Sequence, residues 1–355
     1  MNFTQCMIVK NEEHNLKQAL SWGRDLFKEQ IVVDTGSTDN TVALAEKMGA
    51  RVHHFKWIDD FSAARNYAIS QCSGDWIFFL DADEYIKESD IPELNRLIEK
   101  VDGLFEVING RKIYYNVIEM PWINGDDQEP GIQARIFRNV PYLRYVGELH
   151  EQICAMEGGY RKVYTVKESP AIYHTGYDWS DKNDKKTKNQ RNFTVAQKVL
   201  EKNPDSAKFQ LFAAESLMEQ NQYIEAERYF QEAMKNSDGS IWKERLCEGY
   251  KQWMTNYLRM ADTAECPSDL LIKVHNVYRM AEDLFPEDSD FDILASLIYL
   301  KGKDIKNMIT CFQASLTKNG GRITGSLIDS GTYEKLRLIC GQLGELFVSE
   351  NEKRD

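Results

Sequence analysis

Apolar and polar positions alternate along this chain in blocks that change period twice. Trp76-Ile77-Phe78-Phe79-Leu80 is an unbroken apolar run that stops at Asp81-Ala82-Asp83-Glu84. Five apolar residues in a row do not suit a half-exposed strand; they predict a central strand covered on both faces. Thr4 to Val9 predicts a second strand, ending in Lys10-Asn11-Glu12-Glu13, and Gln30 to Val33 a third, ending in Asp34-Thr35-Gly36-Ser37-Thr38-Asp39-Asn40-Thr41. Three apolar strands that each end in polar residues imply one shared crevice past their carboxyl ends, where open α/β sheets bind ligands.

Between these strands the period becomes helical. Glu13 to Phe27 predicts a helix with Leu16, Leu20 and Phe27 on one side, and Thr41 to Met48 a helix capped by Asp39 or Ser37 and ended near Gly49. Arg51 to Phe55 predicts a short strand. Asp59, Asp60 and Ser62 precede a helix whose Ala63, Ala64, Ala68 and Ile69 allow a close approach to neighbouring backbone. Asp90 or Ser89 starts a helix through about Glu99. Phe105 to Ile108 and Arg111 to Glu119 read as a hairpin-like pair, Gly125 to Gly131 as a loop, and Gln133 to Arg138 as a strand. Arg135 and Arg138 fit phosphate or acceptor contacts and equally fit solvated strand charges.

Beyond the charged stretch Asp178 to Asn192 the pattern is wholly helical. Pro204 closes one helix. Ala213-Ala214, Tyr223, Ala226, Phe230 and Ala233 occupy small-and-aromatic positions of a tetratricopeptide repeat; Tyr278, Ala281 and Pro286, then Ala295-Ser296, Phe312 and Ser315, repeat them weakly. Ile241 to Asp262 reads as extra helix between units. Small residues let paired helices approach and aromatics fill the gap, so such units stack on their neighbours into an array. The expected organisation is therefore an α/β domain over residues 1–180 and an all-α, tetratricopeptide-like domain over 181–355. The helical part serves either as a lid or homodimer surface or as a groove for an acceptor protein or peptide.

Composition narrows the function. The 355 residues carry a net charge of −12, which argues against nonspecific nucleic-acid binding. Seven scattered cysteines without a CxxC pair read as reduced packing thiols. The first strand begins almost at Met1, leaving no room for a signal peptide, and no run of 18 apolar residues exists. The expected location is the cytoplasm, with peripheral membrane contact left open.

Two aspartates at a buried strand end are costly unless compensated, and a divalent cation bridging a diphosphate compensates them. Lys10-Asn11-Glu12, Val33 to Asp39, Phe61-Ser62-Ala63-Ala64-Arg65-Asn66 and Asp75-Trp76 through Glu84 occur in the order and spacing of the family 2 glycosyltransferases, which the first 180 residues resemble. The resembled subgroup joins such a domain to tetratricopeptide-like helices and includes peptide S-glycosyltransferases of the sublancin type.

The resemblance implies a GT-A fold, a Rossmann-like mixed sheet, and a nucleotide-diphosphate sugar as donor, UDP-sugar being common in the family. It implies that Asp34 bonds the base, that Val9, Asn11 and Glu12 line the nucleoside pocket and that Arg65 helps hold the nucleotide. Pairing of Arg65 with Asp59 or Asp60 is the plainer reading. Asp81 would contact ribose or metal, with Ala82 in the same site, and Asp83 the metal directly. His174 would join the metal; imidazole plus carboxylates suits Mn²⁺ or Mg²⁺. Lys10 stands where an aromatic residue is often seen.

Arg144 to Glu151 matches the segment that supplies a catalytic carboxylate: Glu151 is the expected base, with Glu148 as its rival. The implied reaction is sugar transfer with inversion to a peptide, protein or saccharide. A nucleotidyltransferase is the first competing class, but it needs a Gly-rich basic loop after the first strand, where this chain has Lys10-Asn11-Glu12-Glu13. An inactive sugar-nucleotide-binding or repeat scaffold is the second, and the carboxylates at each expected position argue against it.

Overall fold

The structure, a computed structural model, describes residues 1–124, 131–175, 182–237, 241–263, 267–318 and 330–351. The loop expected over residues 125–130, and the start of the charged stretch at 178–181, lie outside the described residues. The chain divides into two compact units, Met1–Lys182 and Asn183–Asp355.

The first unit is built on a mixed sheet. Its strands are β1 (Phe3–Val9), β2 (Glu29–Asp34), β3 (Arg51–His54), β4 (Trp76–Phe79), β5 (Glu84–Tyr85), β8 (Val117–Asn124), β9 (Gly131–Arg138), β12 (Val163–Thr165) and β13 (Ile172–His174); β6 (Phe105–Ile108) with β7 (Arg111–Tyr114), and β10 (Leu143–Val146) with β11 (Gln152–Ala155), form separate antiparallel pairs. The order across the sheet is β3-β2-β1-β4-β9-β8-β13-β5, with β12 beside β8. β1 is parallel to β2 and β4, so Val9, Asp34 and Phe79 end at the same edge. β9 runs antiparallel to β4, which returns its first half, with Arg135, to that edge. β8 and β13 bring Asn124 and His174 there as register partners, and His174 is paired in turn with Glu84 of β5.

Both faces of this sheet are covered, which is why β4 is apolar throughout: Trp76, Ile77, Phe78 and Phe79 are each 0% exposed. Phe78 packs with Phe3, Trp22 and Ile98 on one side; Phe79 and Ile77 pack with Ala68, Ile69 and Tyr145 on the other. Four helices clothe the sheet: α1 (Leu16–Ser21), α2 (Thr41–Lys47), α3 (Phe61–Ser70) and α4 (Ile91–Gly103). The expected helix from Glu13 to Phe27 is cut short at Trp22. Gly23 takes a left-handed φ of 53°, and only one 3₁₀ turn, Arg24–Leu26, follows. The hairpin-like run Arg111 to Glu119 is split in two, because Tyr115 and Asn116 lie between β7 and β8.

The second unit contains α5 (Lys182–Lys202), α6 (Ala207–Glu219), α7 (Tyr223–Lys235), α8 (Lys243–Met260), α9 (Leu270–Leu284), α10 (Asp290–Lys301), α11 (Ile305–Ser315) and α12 (Ser330–Asn351). α6 with α7 and α10 with α11 pack as helical hairpins. The small residues expected at their contacts are buried: Ala213, Ala214, Ala226, Ala233, Ala281, Ala295 and Ser296 are all 0% exposed. α8 is the extra helix expected between units. It comes so near α6 that a Cβ on Gly249 would lie 2.9 Å from Leu211. The chain is thus an α/β unit followed by an all-α unit of paired helices.

Candidate active site

Two loops at the shared strand edge are stitched to each other by backbone and side-chain hydrogen bonds. Asn11, with a left-handed φ of 58°, donates its N–H to Ser37 Oγ at 2.9 Å and accepts from Thr38 N at 2.8 Å through Oδ1. Glu12 donates its N–H to Thr41 Oγ1 at 2.7 Å. The N-cap position of α2 is Asn40, neither Asp39 nor Ser37 as expected; Asp39, one residue earlier, accepts from Thr41 N at 3.0 Å, and Ser37 is turned to Asn11. Asp34 is 5% exposed and accepts from Gly36 N and Ser37 N at 3.1 and 3.0 Å. Burial would raise its pKa, but these bonds from Ser37 and Gly36 hold it below the usual carboxylate range. Glu12 goes the other way: burial, with Asp83, Asp81 and Asp39 nearby, pushes it up to about 7 against the Asn15 hydrogen bond.

α3 is positioned by its own first turn. Asp60 accepts from Ala63 N at 2.9 Å, and Ser62 Oγ donates to Gly147 O at 2.6 Å. Ala64 and Ala68, both 0% exposed, allow the helix to lie low on the sheet. Arg65 is thereby buried, not on the surface, and the plainer pairing with Asp59 or Asp60 does not form. Its Nη2 donates to Asp81 Oδ1 at 2.9 Å, its Nε donates to Glu151 Oε1, and its guanidinium lies over the rings of Phe79 and Tyr145 at 4.8 and 5.2 Å.

Asp81 is therefore clamped. Arg135 Nη2 reaches its other oxygen at 2.8 Å and Glu84 Oε1 at 2.8 Å. Burial opposes ionisation of Asp81, but Arg135 and Arg65 overcome it and hold the carboxyl far below its usual range. Asp83 faces elsewhere: His174 Nε2 lies 2.8 Å from its Oδ2, and His174 Nδ1 lies 3.0 Å from Asn124 Oδ1. Burial lowers the His174 pKa, but the bond to Asp83 raises it further, to a net increase.

The structure thus brings Arg65, Asp81, Glu151 and Arg135 into one cluster and Asp83 with His174 into another, joined by the turn Asp81-Ala82-Asp83. Other expected residues have different partners. Asp81 spends its oxygens on the two arginines and does not converge with Asp83 and His174; no group of three His, Cys, Asp or Glu side chains suited to a metal occurs among the described residues. Val9 and Ala82, 3% and 5% exposed, have their side chains in the core with Leu16 and Val32, and only the Val9 carbonyl reaches the rim, where Thr35 N donates to it at 2.9 Å. Glu148 contributes its backbone carbonyl to Phe61 N at 3.1 Å. Arg138 sits at the opposite end of β9, paired with Asp102 at 2.8 Å, because its register partner is Trp76 at the start of β4.

The residue types suit a divalent cation: Asp83 and His174 offer a carboxylate oxygen and an imidazole nitrogen side by side, and Asn124 fixes the ring. The site also leaves donors over. Arg65 Nη1 and Arg135 Nε are buried with no hydrogen-bond partner among the described residues. Buried N–H groups in that state suit an anion.

Residues 4–164 match the family described as Glycosyl transferase family 2. The chain is 28% identical over 236 residues to the SPbeta prophage-derived glycosyltransferase SunS of Bacillus subtilis, covering 65% of this chain and 52% of that protein. It is 36% identical over 180 residues to a TPR repeat-containing protein of Synechococcus elongatus, covering 48% of this chain and 41% of the relative. The chain spans about half the length of these relatives. Among solved structures, S. aureus TarS 1–349 in complex with UDP-GlcNAc is similar at 17% identity and a TM-score of 0.35, covering 88% of this chain and 91% of that one.

Proposed function

We propose, for a chain whose residues 4–164 match the family described as Glycosyl transferase family 2, that the strand-end cleft moves a sugar from a nucleotide-diphosphate donor to an acceptor nucleophile with inversion. The observation that carries the proposal is the Arg65–Asp81–Arg135 clamp, with Arg65 buried and Asp81 half-buried, set beside the Asp83–His174 pair. Together they put cationic N–H groups and a metal-type donor pair at one strand edge, the combination a diphosphate requires.

In this reading Asp34, Asn11 and Glu12 receive the nucleoside, and the leftover N–H groups of Arg65 and Arg135 receive phosphate oxygens. Asp83 and His174 would hold Mn²⁺ or Mg²⁺, which offsets charge on the leaving diphosphate. Glu151 takes the proton of the acceptor hydroxyl, thiol or amide as that atom bonds to C1 and the C1–O bond to the diphosphate breaks. Attack from the face opposite the diphosphate gives the inverted glycoside. Arg65 holds the Glu151 carboxyl in place until the acceptor arrives. The proposed donor is a UDP-sugar, on the strength of the family resemblance; the proposed acceptor is a peptide, protein or saccharide, with the paired helices as its groove or as a homodimer surface.

A cytoplasmic setting is part of the proposal. The described cysteines Cys6, Cys72, Cys154, Cys247, Cys311 and Cys340 are free thiols. No helix among the described residues is long and apolar enough to cross a membrane.

The test is binding and slow hydrolysis of a panel of UDP-, GDP- and dTDP-sugars with Mn²⁺, Mg²⁺ or EDTA, beside Asp83→Ala. One donor should be cleaved, in a metal-dependent way, and the substitution should abolish cleavage. Absence of binding to every sugar nucleotide would overturn the proposal in favour of an inactive scaffold.

A further inference from the structure

Glu84 is the most enclosed charged side chain of the strand edge, with 1% of its side chain exposed. It follows Asp83 directly, yet it faces away from solvent into the sheet. Three donors from three different elements converge on its two oxygens. Asp81 N–H reaches Oε2 at 2.9 Å from the turn after β4; Trp122 Nε1 reaches Oε1 at 2.8 Å from β8; Arg135 Nη2 reaches Oε1 at 2.8 Å from β9. Each donor also contacts a neighbour that matters. Arg135 Nη2 continues to Asp81 Oδ2. The Trp122 ring lies against the His174 ring, centroids 4.9 Å apart. The Asp81 N–H belongs to the backbone that leads to Asp83.

We propose that Glu84 is a positioning residue that locks both halves of the acidic turn, holding Asp81 through Arg135 and the backbone, and the Asp83–His174 pair through Trp122. A carboxyl group at 1% exposure is expensive to bury, and a core that needed only volume at this place would be served better by an apolar residue. The three accepted bonds specify a carboxylate. A glutamine has the same shape but only one acceptor oxygen. Whichever way its amide is turned, the NH₂ faces either the Asp81 N–H or the Trp122 and Arg135 donors, and one half of the lock opens.

The inference rests on the reading of Asp83 and His174 as a cation site, so the experiment separates the two. Mn²⁺ binding to the full chain is followed by electron paramagnetic resonance, first with Mn²⁺ alone and then with UDP. Wild type is compared with Glu84→Gln and with Arg138→Met, which breaks the Asp102 pair at the far end of the same strand β9. Thermal unfolding is recorded for all three. Glu84→Gln should bind Mn²⁺ about ten- to a hundred-fold more weakly, as for other residues that orient metal ligands. Arg138→Met should lose stability but not affinity. Wild-type affinity in Glu84→Gln, or an equal loss in Arg138→Met, would overturn the proposal. If Glu84→Gln does not fold, Trp122→Phe keeps the ring on His174 and removes only the donor to Glu84. It should lose affinity several-fold, and an unchanged value overturns the inference. Mn²⁺ binding by wild type without any UDP binding would sink the glycosyltransferase reading while the Glu84 comparison still stands; binding of neither would sink both.

Discussion

Both units bury carboxylates, and they treat them differently. In the helical unit, Glu227 receives the Tyr257 hydroxyl at 3.0 Å and Lys273 at 3.1 Å, and Asp292 receives the Tyr278 hydroxyl at 2.6 Å and Lys318 at 2.6 Å. Each carboxylate there is held by one hydroxyl and one ammonium drawn from neighbouring segments, and Glu227 accepts from Gln231 as well. At the strand edge of the first unit, Asp81, Glu84 and Glu151 share two guanidiniums, and those guanidiniums still keep buried N–H groups without partners. Among the described residues the helical unit too has buried polar atoms without a hydrogen bond, on Arg245, Trp253, Asn256 and Asp292, but only at the strand edge do two guanidiniums with such N–H groups share one carboxylate, Asp81, an arrangement that suits an anionic ligand.

The largest effect is expected where the incomplete network loses its hub. Arg65→Met leaves Asp81 with one partner and Glu151 with none of those seen here. Transfer activity should fall by at least about a thousand-fold, roughly 4 kcal/mol of barrier, as measured with the donor identified by the panel above. The contrast is Asp292→Ala in the helical unit. It strands Lys318 and Tyr278 and should cost about 3–5 kcal/mol of stability, read by urea unfolding, with UDP affinity unchanged below the transition. If Asp292→Ala abolished UDP binding, the division between a structural and a functional network would fail.

A smaller effect comes from Glu12, whose raised pKa is a statement about stability. A carboxyl at about 7 in the folded chain and at the ordinary 4.5 when unfolded favours the folded state below pH 4.5. That contribution is lost as pH rises through 7, because the folded state then holds a charge it disfavours. Above pH 8 the penalty is about 2 kcal/mol after discounting for its half-buried side chain. Glu12→Gln should therefore raise the unfolding midpoint at pH 8, leave it unchanged near pH 4, and weaken donor binding. A substitution that stabilises while impairing binding identifies a residue kept for its ligand.

The apolar run Trp76 to Leu80 is legible as a doubly covered strand because five apolar residues in a row do not suit a half-exposed one, and Asp81, Asp83 and Arg65 stand out through the motifs that resemble the family 2 glycosyltransferases. What is not legible is which way each side chain turns. Asp81 and Asp83 are two residues apart at a strand end, and only the antiparallel return of β9 brings Arg135 to Asp81. The same return separates Arg135 from Arg138, which lie on one strand but at opposite ends of the sheet. Glu84 and Asn124 escape a reading of the sequence because Glu84 gathers three hydrogen bonds from the turn after β4, from β8 and from β9, and Asn124 meets His174 only across β8 and β13. The truncation of the first helix at Gly23 was present in the sequence as a glycine inside an apolar period, the position where a left-handed turn costs least.

The smallest expected effect probes how the incomplete network is held in place. Arg65 points at Asp81 only because α3 begins where it does, and Asp60 fixes that beginning by accepting the Ala63 N–H at 2.9 Å. Asp60→Ala should cost about 1 kcal/mol, the ordinary worth of an N-cap. The Ser62 bond to Gly147 O still anchors the first turn from its other side, so the helix should fray rather than detach. If the strand edge depends on α3 as a rigid lever, turnover should fall several-fold while the apparent affinity for donor changes less, because a frayed start reaches Glu151 before it reaches Asp81. Activity and affinity falling together would mean that Asp60 supports the whole cleft equally. No change in either would show that Ala64 and Ala68, packed on the sheet, seat Arg65 without help from the cap.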